Sequence, residues 1–226
     1  MTSKPGILFD VDGTLVDTTY LHTVAWWEAL RQHDNDVPMA EIHRSIGMGS
    51  DHILEHLLGP DRDTDADDAI VKAHDILYGA WWERLRPLPG AADLLRACAE
   101  RGLTVVLASS AKEPELKRLR RVLDADDVIT AATSSADAES SKPAPDILQA
   151  ALDQSDVDPG NCVFVGDAVW DVKAAGKLDI PCIGLECGGT SAAELADAGA
   201  VATYRDPAAL LAAVVGGAAP IVRDQV

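Results

Sequence analysis

Short apolar runs ending in glycine or polar residues alternate along most of this chain with stretches of helical periodicity. The first run, Ile7-Leu8-Phe9, is too short for a helix and reads as a buried strand over about residues 7–12, with Gly13 marking a sharp turn. Helical spacing follows over about residues 18–33, where Leu21, Val24, Ala25, Ala29 and Leu30 share a face. Pro38 opens a second helical segment containing Ile42 and Ile46, Ser50 or Asp51 can cap a third through Leu58, and a fourth covers about 66–84. No strand pattern interrupts about 16–86.

Beyond Pro87-Leu88-Pro89-Gly90 the pattern changes. Helix about 91–101 leads to strand 103–108, helix 113–123, a short strand near 127–130 and a polar loop over 131–142. Helix 144–152, strand 162–166, helix 169–178, strand 180–185, a helix from 191, strand 200–203 and helix 207–215 complete the series. Strands alternating with helices predict an α/β fold with a doubly wound parallel sheet. The expected organisation is a sheet domain of residues 1–16 and 87–226, split by a small helical domain of residues 17–86.

Composition narrows the function. The 226 residues suffice for a sizeable core. No apolar run approaches the ~18 residues of a membrane span, and the N-terminus shows no signal-peptide pattern, so a cytoplasmic protein is expected. The net charge of −18 argues against nucleic acid and against an anionic membrane as partners. An anionic substrate would then need local cations to offset the overall field. Cys98, Cys162, Cys182 and Cys187 match neither a zinc nor a redox spacing and read as free thiols, mostly buried. A monomer is the default expectation.

The candidate chemistry sits at strand ends. Asp10 and Asp12 are two residues apart, which on an extended backbone turns both carboxylates toward one side. Their mutual repulsion suits a divalent cation better than a structural site. Later strands end in Ser109-Ser110 and in Gly166-Asp167, with Asp171 one helical turn on, and Lys142 precedes a proline-started helix. Ligands of open α/β sheets collect at the carboxyl ends of strands, so one pocket can gather all of these groups.

With Asp10-Val11-Asp12-Gly13-Thr14, Ser109, Lys142 and Gly166-Asp167-Ala168-Val169-Trp170-Asp171 in this order, the chain resembles the haloacid dehalogenase-like hydrolase superfamily, in particular its phosphatases with an inserted helical cap. The resemblance implies Asp10 as nucleophile toward phosphorus and Asp12 as general acid and base. Mg²⁺ would be the cofactor, held by Asp10, the Asp12 backbone carbonyl, Asp167 and Asp171. Ser109, Ser110 and Lys142 would bind the phosphoryl group, and Gly13 and Thr14 would shape the loop around it. His22 occupies a place where relatives such as β-phosphoglucomutase carry a histidine, which implies that it faces the substrate.

The expected function is Mg²⁺-dependent hydrolysis of a small phosphorylated metabolite, similar to phosphoglycolate phosphatases. Asp12 counts against a dehalogenase, which lacks this second acid. A β-phosphoglucomutase-like phosphotransferase is the alternative, but the mutase carries an arginine after the cap glycine, whereas here Arg44 precedes Gly47. A non-catalytic phosphate-binding protein is a further reading, against which the retained Asp10 and Lys142 argue. His52 and His56 lack the further ligands of a zinc site, and Trp26-Trp27 and Trp81-Trp82 are expected in the cap core.

Overall fold

The computed structural model describes residues 4–221. Strand β1 (Lys4–Phe9) is followed by four helices, α1 (Thr19–Arg31), α2 (Met39–Ser45), α3 (Ser50–Leu58) and α4 (Asp67–Gly79). The chain then alternates as α5 (Ala91–Glu100), β2 (Thr104–Ala108), α6 (Glu113–Leu123), β3 (Ile129–Thr133), α7 (Asp146–Asp153) and β4 (Val157–Gly166). It closes with α8 (Val169–Gly176), β5 (Cys182–Leu185), α9 (Ala192–Ala198), β6 (Ala202–Tyr204) and α10 (Pro207–Val215). The six strands form one sheet in the order β3-β2-β1-β4-β5-β6, with every neighbouring pair parallel.

Both faces of this sheet are buried, which explains why its strands read as continuous apolar runs rather than alternating ones. Side-chain alternation divides the strands between two cores. Ile7, Phe9, Val105, Leu107, Val163 and Val165 pack with α5, α6 and α10. Leu8, Val106, Ala108, Cys162 and Phe164 pack with α7, α8 and α9. Fully burying a Leu, Ile or Phe side chain contributes ~1.5–3 kcal/mol, so the central strands are the firmest part of the fold.

Helices α1–α4 carry a third core, built from Trp26, Leu30, Ile42, Ile53, Leu54 and Ile70 among others. Trp26 joins that core as expected, but Trp82 packs instead against the core beneath the sheet. It lies in a short 3-10 turn, Trp82–Arg84, after α4 has ended at Gly79, and so faces the wrong layer.

Strand boundaries differ from the pattern where polar or small residues hide the pairing. β3 runs on to Thr133 because Ala131, Ala132 and Thr133 pair with Val106, Leu107 and Ala108, although two alanines carry little strand propensity. β4 begins at Val157, paired with Lys4, and its register shifts before Cys162 pairs with Gly6. Cys98, Cys162 and Cys182 are buried and Cys187 is half-buried. No helix among the described residues is long and apolar enough to cross a membrane.

Candidate active site

The sheet order reverses between β1 and β4, and the crevice at the carboxyl ends of such strands is where open α/β sheets bind ligands. Asp10 follows β1, Ser109 follows β2 and Asp167 follows β4, so the three central strands deliver their terminal polar residues to that crevice. The backbone is shaped to let them converge. Gly13 has φ +81°, and a Cβ there would stand 2.5 Å from Asp167 Oδ2. A Cβ on Gly188 would stand 1.6 Å from the same oxygen, so glycine at 188 makes room for the Asp167 carboxylate.

Two groups of side chains result. In the deeper one, Asp10, Asp167 and Asp171 each offer a carboxylate oxygen, all within 4.8 Å of one another. Lys142 is buried among them, with Nζ donating to Asp10 Oδ1 at 2.5 Å and to Asp171 Oδ1 at 2.8 Å. The other Asp171 oxygen accepts the Ala168 N–H at 3.0 Å, the capping contact that starts α8. Thr14 Oγ1 lies 3.0 Å from Asp10 Oδ2 and 2.9 Å from Asp167 Oδ1. Its single proton cannot serve two carboxylates at once. Thr14 therefore donates to one of the two carboxylates at a time while standing within reach of both.

Burial dominates the electrostatics of this group. It pushes Asp10 up to about 7 against the attraction of Lys142, with Asp171 and Asp12 adding to the rise. It raises Asp167 well above the ordinary carboxylate range, with Asp171 and Asp10 contributing. Burial opposes the charge of Lys142 too, but Asp10 and Asp171 outweigh it and hold the ammonium far above its usual value. Three buried carboxylates thus face one buried cation. An all-oxygen donor set with excess negative charge suits a hard divalent ion such as Mg²⁺. Asp10, Asp167 and Asp171 are the side chains that fit one.

The second group lies nearer the helical segment. The Asp12 carboxylate stands apart from the first group, with His22 and Glu115. His22 Nε2 is 3.4 Å from Asp12 Oδ1 and 3.5 Å from Glu115 Oε1, while its Nδ1 is 3.1 Å from His74 Nε2. Burial would lower His22, but the Asp12 hydrogen bond and the Glu115 charge reverse that and raise it. His74 Nδ1 in turn meets Asp75 Oδ1 at 3.2 Å, and Asp75 pairs with Lys112.

The deeper group, through Asp10 and Lys142, and the second group open on one cavity of about 100 Å³, lined also by Ser110 and parts of the helical segment, whereas Asp167 lines a neighbouring cavity. Ser110 Oγ is buried there with no hydrogen-bond partner among the described residues. Ser109 is fully buried and its Oγ accepts the Ala111 N–H at 3.0 Å, which leaves its hydroxyl proton available. Glu115, His74 and Asp75 were not singled out by sequence reasoning. Glu115 reads as an ordinary first-turn acid of α6, and only the tertiary arrangement turns it inward.

The helical segment is fastened over this site. Asp51 Oδ2 accepts the Ser141 N–H at 2.9 Å, beside Lys142. His52 Nε2 meets Ser140 Oγ at 2.7 Å, His43 Nε2 meets the Gly188 carbonyl at 2.9 Å, and Trp170 Nε1 donates to the Arg44 carbonyl at 2.9 Å.

A model of the haloacid dehalogenase-like hydrolases matches residues 5–179, most of the chain and every side chain of the two groups described above. The protein belongs to this family. Among the relatives of this family member, a phosphoglycolate phosphatase from Rhodospirillum rubrum is 29% identical over 218 residues, covering 90% of this chain and 88% of that one. A β-phosphoglucomutase from Bacillus subtilis is 27% identical over 186 residues, covering 77% and 81%. A solved hydrolase from Pseudomonas syringae is 30% identical, with a TM-score of 0.89 over 96% of this chain and 100% of that one. The haloacid dehalogenase-like architecture is therefore shared along nearly the whole chain.

Proposed function

We propose that this hydrolase cleaves a small phosphomonoester with Mg²⁺ through an aspartyl-phosphate formed on Asp10. The observation that carries the reading is the seat of Lys142 between Asp10 and Asp171, at the mouth of the three central strands and in the same cavity as Asp12. In the first step an Asp10 carboxylate oxygen attacks phosphorus and the bond to the leaving oxygen breaks, with Asp12 giving that oxygen its proton. In the second, Asp12 takes a proton from water as the water oxygen attacks the phosphoryl group and releases Asp10. Lys142 neutralises charge on Asp10 and on the phosphoryl oxygens, and Ser109 and Ser110 offer hydroxyl donors to them. His22, within reach of Asp12 and on the cavity wall, orients that acid toward the substrate. Held by Asp10, Asp167 and Asp171, Mg²⁺ would supply further electrostatic stabilisation of the phosphoryl charge.

Residues 17–86 act in this reading as the cap, whose contacts at Asp51, His52 and His43 exclude water from the cavity. The phosphotransferase alternative is supported less well. Arg44 does not line this cavity and pairs with Glu194 at 3.2 Å, so it offers no cation there for a second phosphate. Phosphate release from a panel of phosphorylated metabolites, with Mg²⁺ and with chelator, tests the proposal. Metal-dependent release supports it. Conversion of β-glucose 1-phosphate to the 6-phosphate without release would establish the mutase instead.

A further inference from the structure

The hydrolase reading leaves the leaving group open, and the following inference rests on that reading. Past Asp10 and Lys142 the cavity continues between α1, α4 and the first turn of α6. The charged side chains along this part are Asp12, Asp75, Glu115 and Lys112. Lys112 is committed to Asp75. His22 is held between Asp12 and Glu115, and His74 between His22 and Asp75. The helix that presents its N-terminus here, α3, already carries Asp51 in its first turn, and that carboxylate takes the Ser141 N–H. No uncommitted cation among the described residues therefore lines the leaving-group side.

Glu115 offers an acceptor on this wall. Its Oε1 is buried and makes no hydrogen bond of good geometry, although it pairs with His22 Nε2 at 3.5 Å and its carboxyl faces the Tyr78 hydroxyl. Ser110 Oγ, also on the cavity wall, is without a partner among the described residues. A carboxylate acceptor and a free hydroxyl on one wall complement a group that both donates and accepts a hydrogen bond. A second anion would be desolvated on this wall with no free cation among the described residues to meet it, which is how a site rejects a competitor of the same size.

We propose that Glu115 is a specificity residue, and that this hydrolase acts on phosphomonoesters whose leaving group is a neutral, hydroxyl-bearing alcohol, excluding those whose leaving group carries a carboxylate or a second phosphate. The chain thereby departs from relatives named for phosphoglycolate, whose leaving group ends in a carboxylate.

Two size-matched pairs test this. 2-Hydroxyethyl phosphate is compared with phosphoglycolate, and glycerol 1-phosphate with 3-phosphoglycerate, each at saturating Mg²⁺. Each pair differs by a hydroxymethyl group in place of a carboxylate. The expected result is kcat/KM favouring the alcohol of each pair by ~100-fold, narrowed to within ~10-fold by Glu115→Gln. Circular dichroism establishes that the variant is folded, and the wild-type ratio stands without it. Acids turned over as fast as the alcohols would overturn the inference while leaving the hydrolase reading intact. So would hydrolysis of 4-nitrophenyl phosphate with neither alcohol accepted. An unchanged ratio in Glu115→Gln would remove Glu115 from the selection. Release from none of these compounds, 4-nitrophenyl phosphate included, would overturn the hydrolase reading and this inference with it.

Discussion

Lys142 shows how one residue ties stability to chemistry in this site. Its ammonium is buried against Asp10 and Asp171, and removing one partner of a buried ion pair leaves an uncompensated charge. Lys142→Met is expected to lower the unfolding free energy by ~3 kcal/mol, read as a lower midpoint in denaturant, and to abolish phosphate release. Gly188 makes a different point. A Cβ at 188 would overlap Asp167 Oδ2, so Gly188→Ala must displace that carboxylate. The expected consequence is ~10–100-fold weaker Mg²⁺ binding by calorimetry with little loss of fold. An unaltered affinity would detach Asp167 from the ion. Asp10, Asp12, Lys142 and Asp167 could be singled out in the sequence because each ends an apolar run or abuts a proline. Gly188 and Glu115 could not, because what matters about each is a neighbour more than 20 residues away in sequence, as the Gly188–Asp167 and Glu115–His22 approaches show.

At the scale of elements, α4 joins the helical core to the site. Its inner face carries His74, stacked on Trp26 and bonded to His22, and burial pushes the His74 pKa down to about 4. A folded value below the ordinary 6.5 means that the fold disfavours the protonated ring. The stability this represents is fully present above pH 6.5 and is lost as pH falls toward 4, by ~3 kcal/mol if the whole shift is realised. Replacing His74 with Gln should flatten the dependence of unfolding free energy on pH in that window relative to wild type. Equal slopes in the two proteins would contradict a neutral buried ring. Element types were legible from periodicity, as α10 (Pro207–Val215) illustrates, with Asp206 capping it and proline in its first turn. The end of β3 was not, because Ala131 and Ala132 become strand only through pairing with β2. Nor was the seat of Trp82, which depends on where α4 stops.

At the scale of the whole molecule, the sheet reversal, the helical segment and the acidic site form one design. If a protein of net charge −18 is to handle a phosphomonoester, it must confine its cations to where the phosphoryl group sits, and among the described residues Lys142 is the buried lysine or arginine. An ion held by Asp10, Asp167 and Asp171 would relieve the repulsion among these buried carboxylates. Mg²⁺ at about 100 times its dissociation constant should therefore raise stability by ~2.7 kcal/mol, seen as a higher thermal midpoint that chelator reverses. The helical segment makes polar contacts with the loops on both sides of the crevice, Ser141 on one and Gly188 on the other. Asp51→Ala, which removes the first of these, should alter KM and kcat together, as expected of a cap that closes over substrate.

The central claim is that Asp10 carries the phosphoryl group during turnover. Its most direct test is to mix the protein with Mg²⁺ and an accepted phosphomonoester, quench in acid within the first turnover, and map the modified peptide by mass spectrometry. The account predicts a phosphorylated peptide containing Asp10, discharged by hydroxylamine as an acyl phosphate is and missing in Asp10→Asn. Phosphate release with no modification at Asp10, or undiminished release from Asp10→Asn, would contradict it.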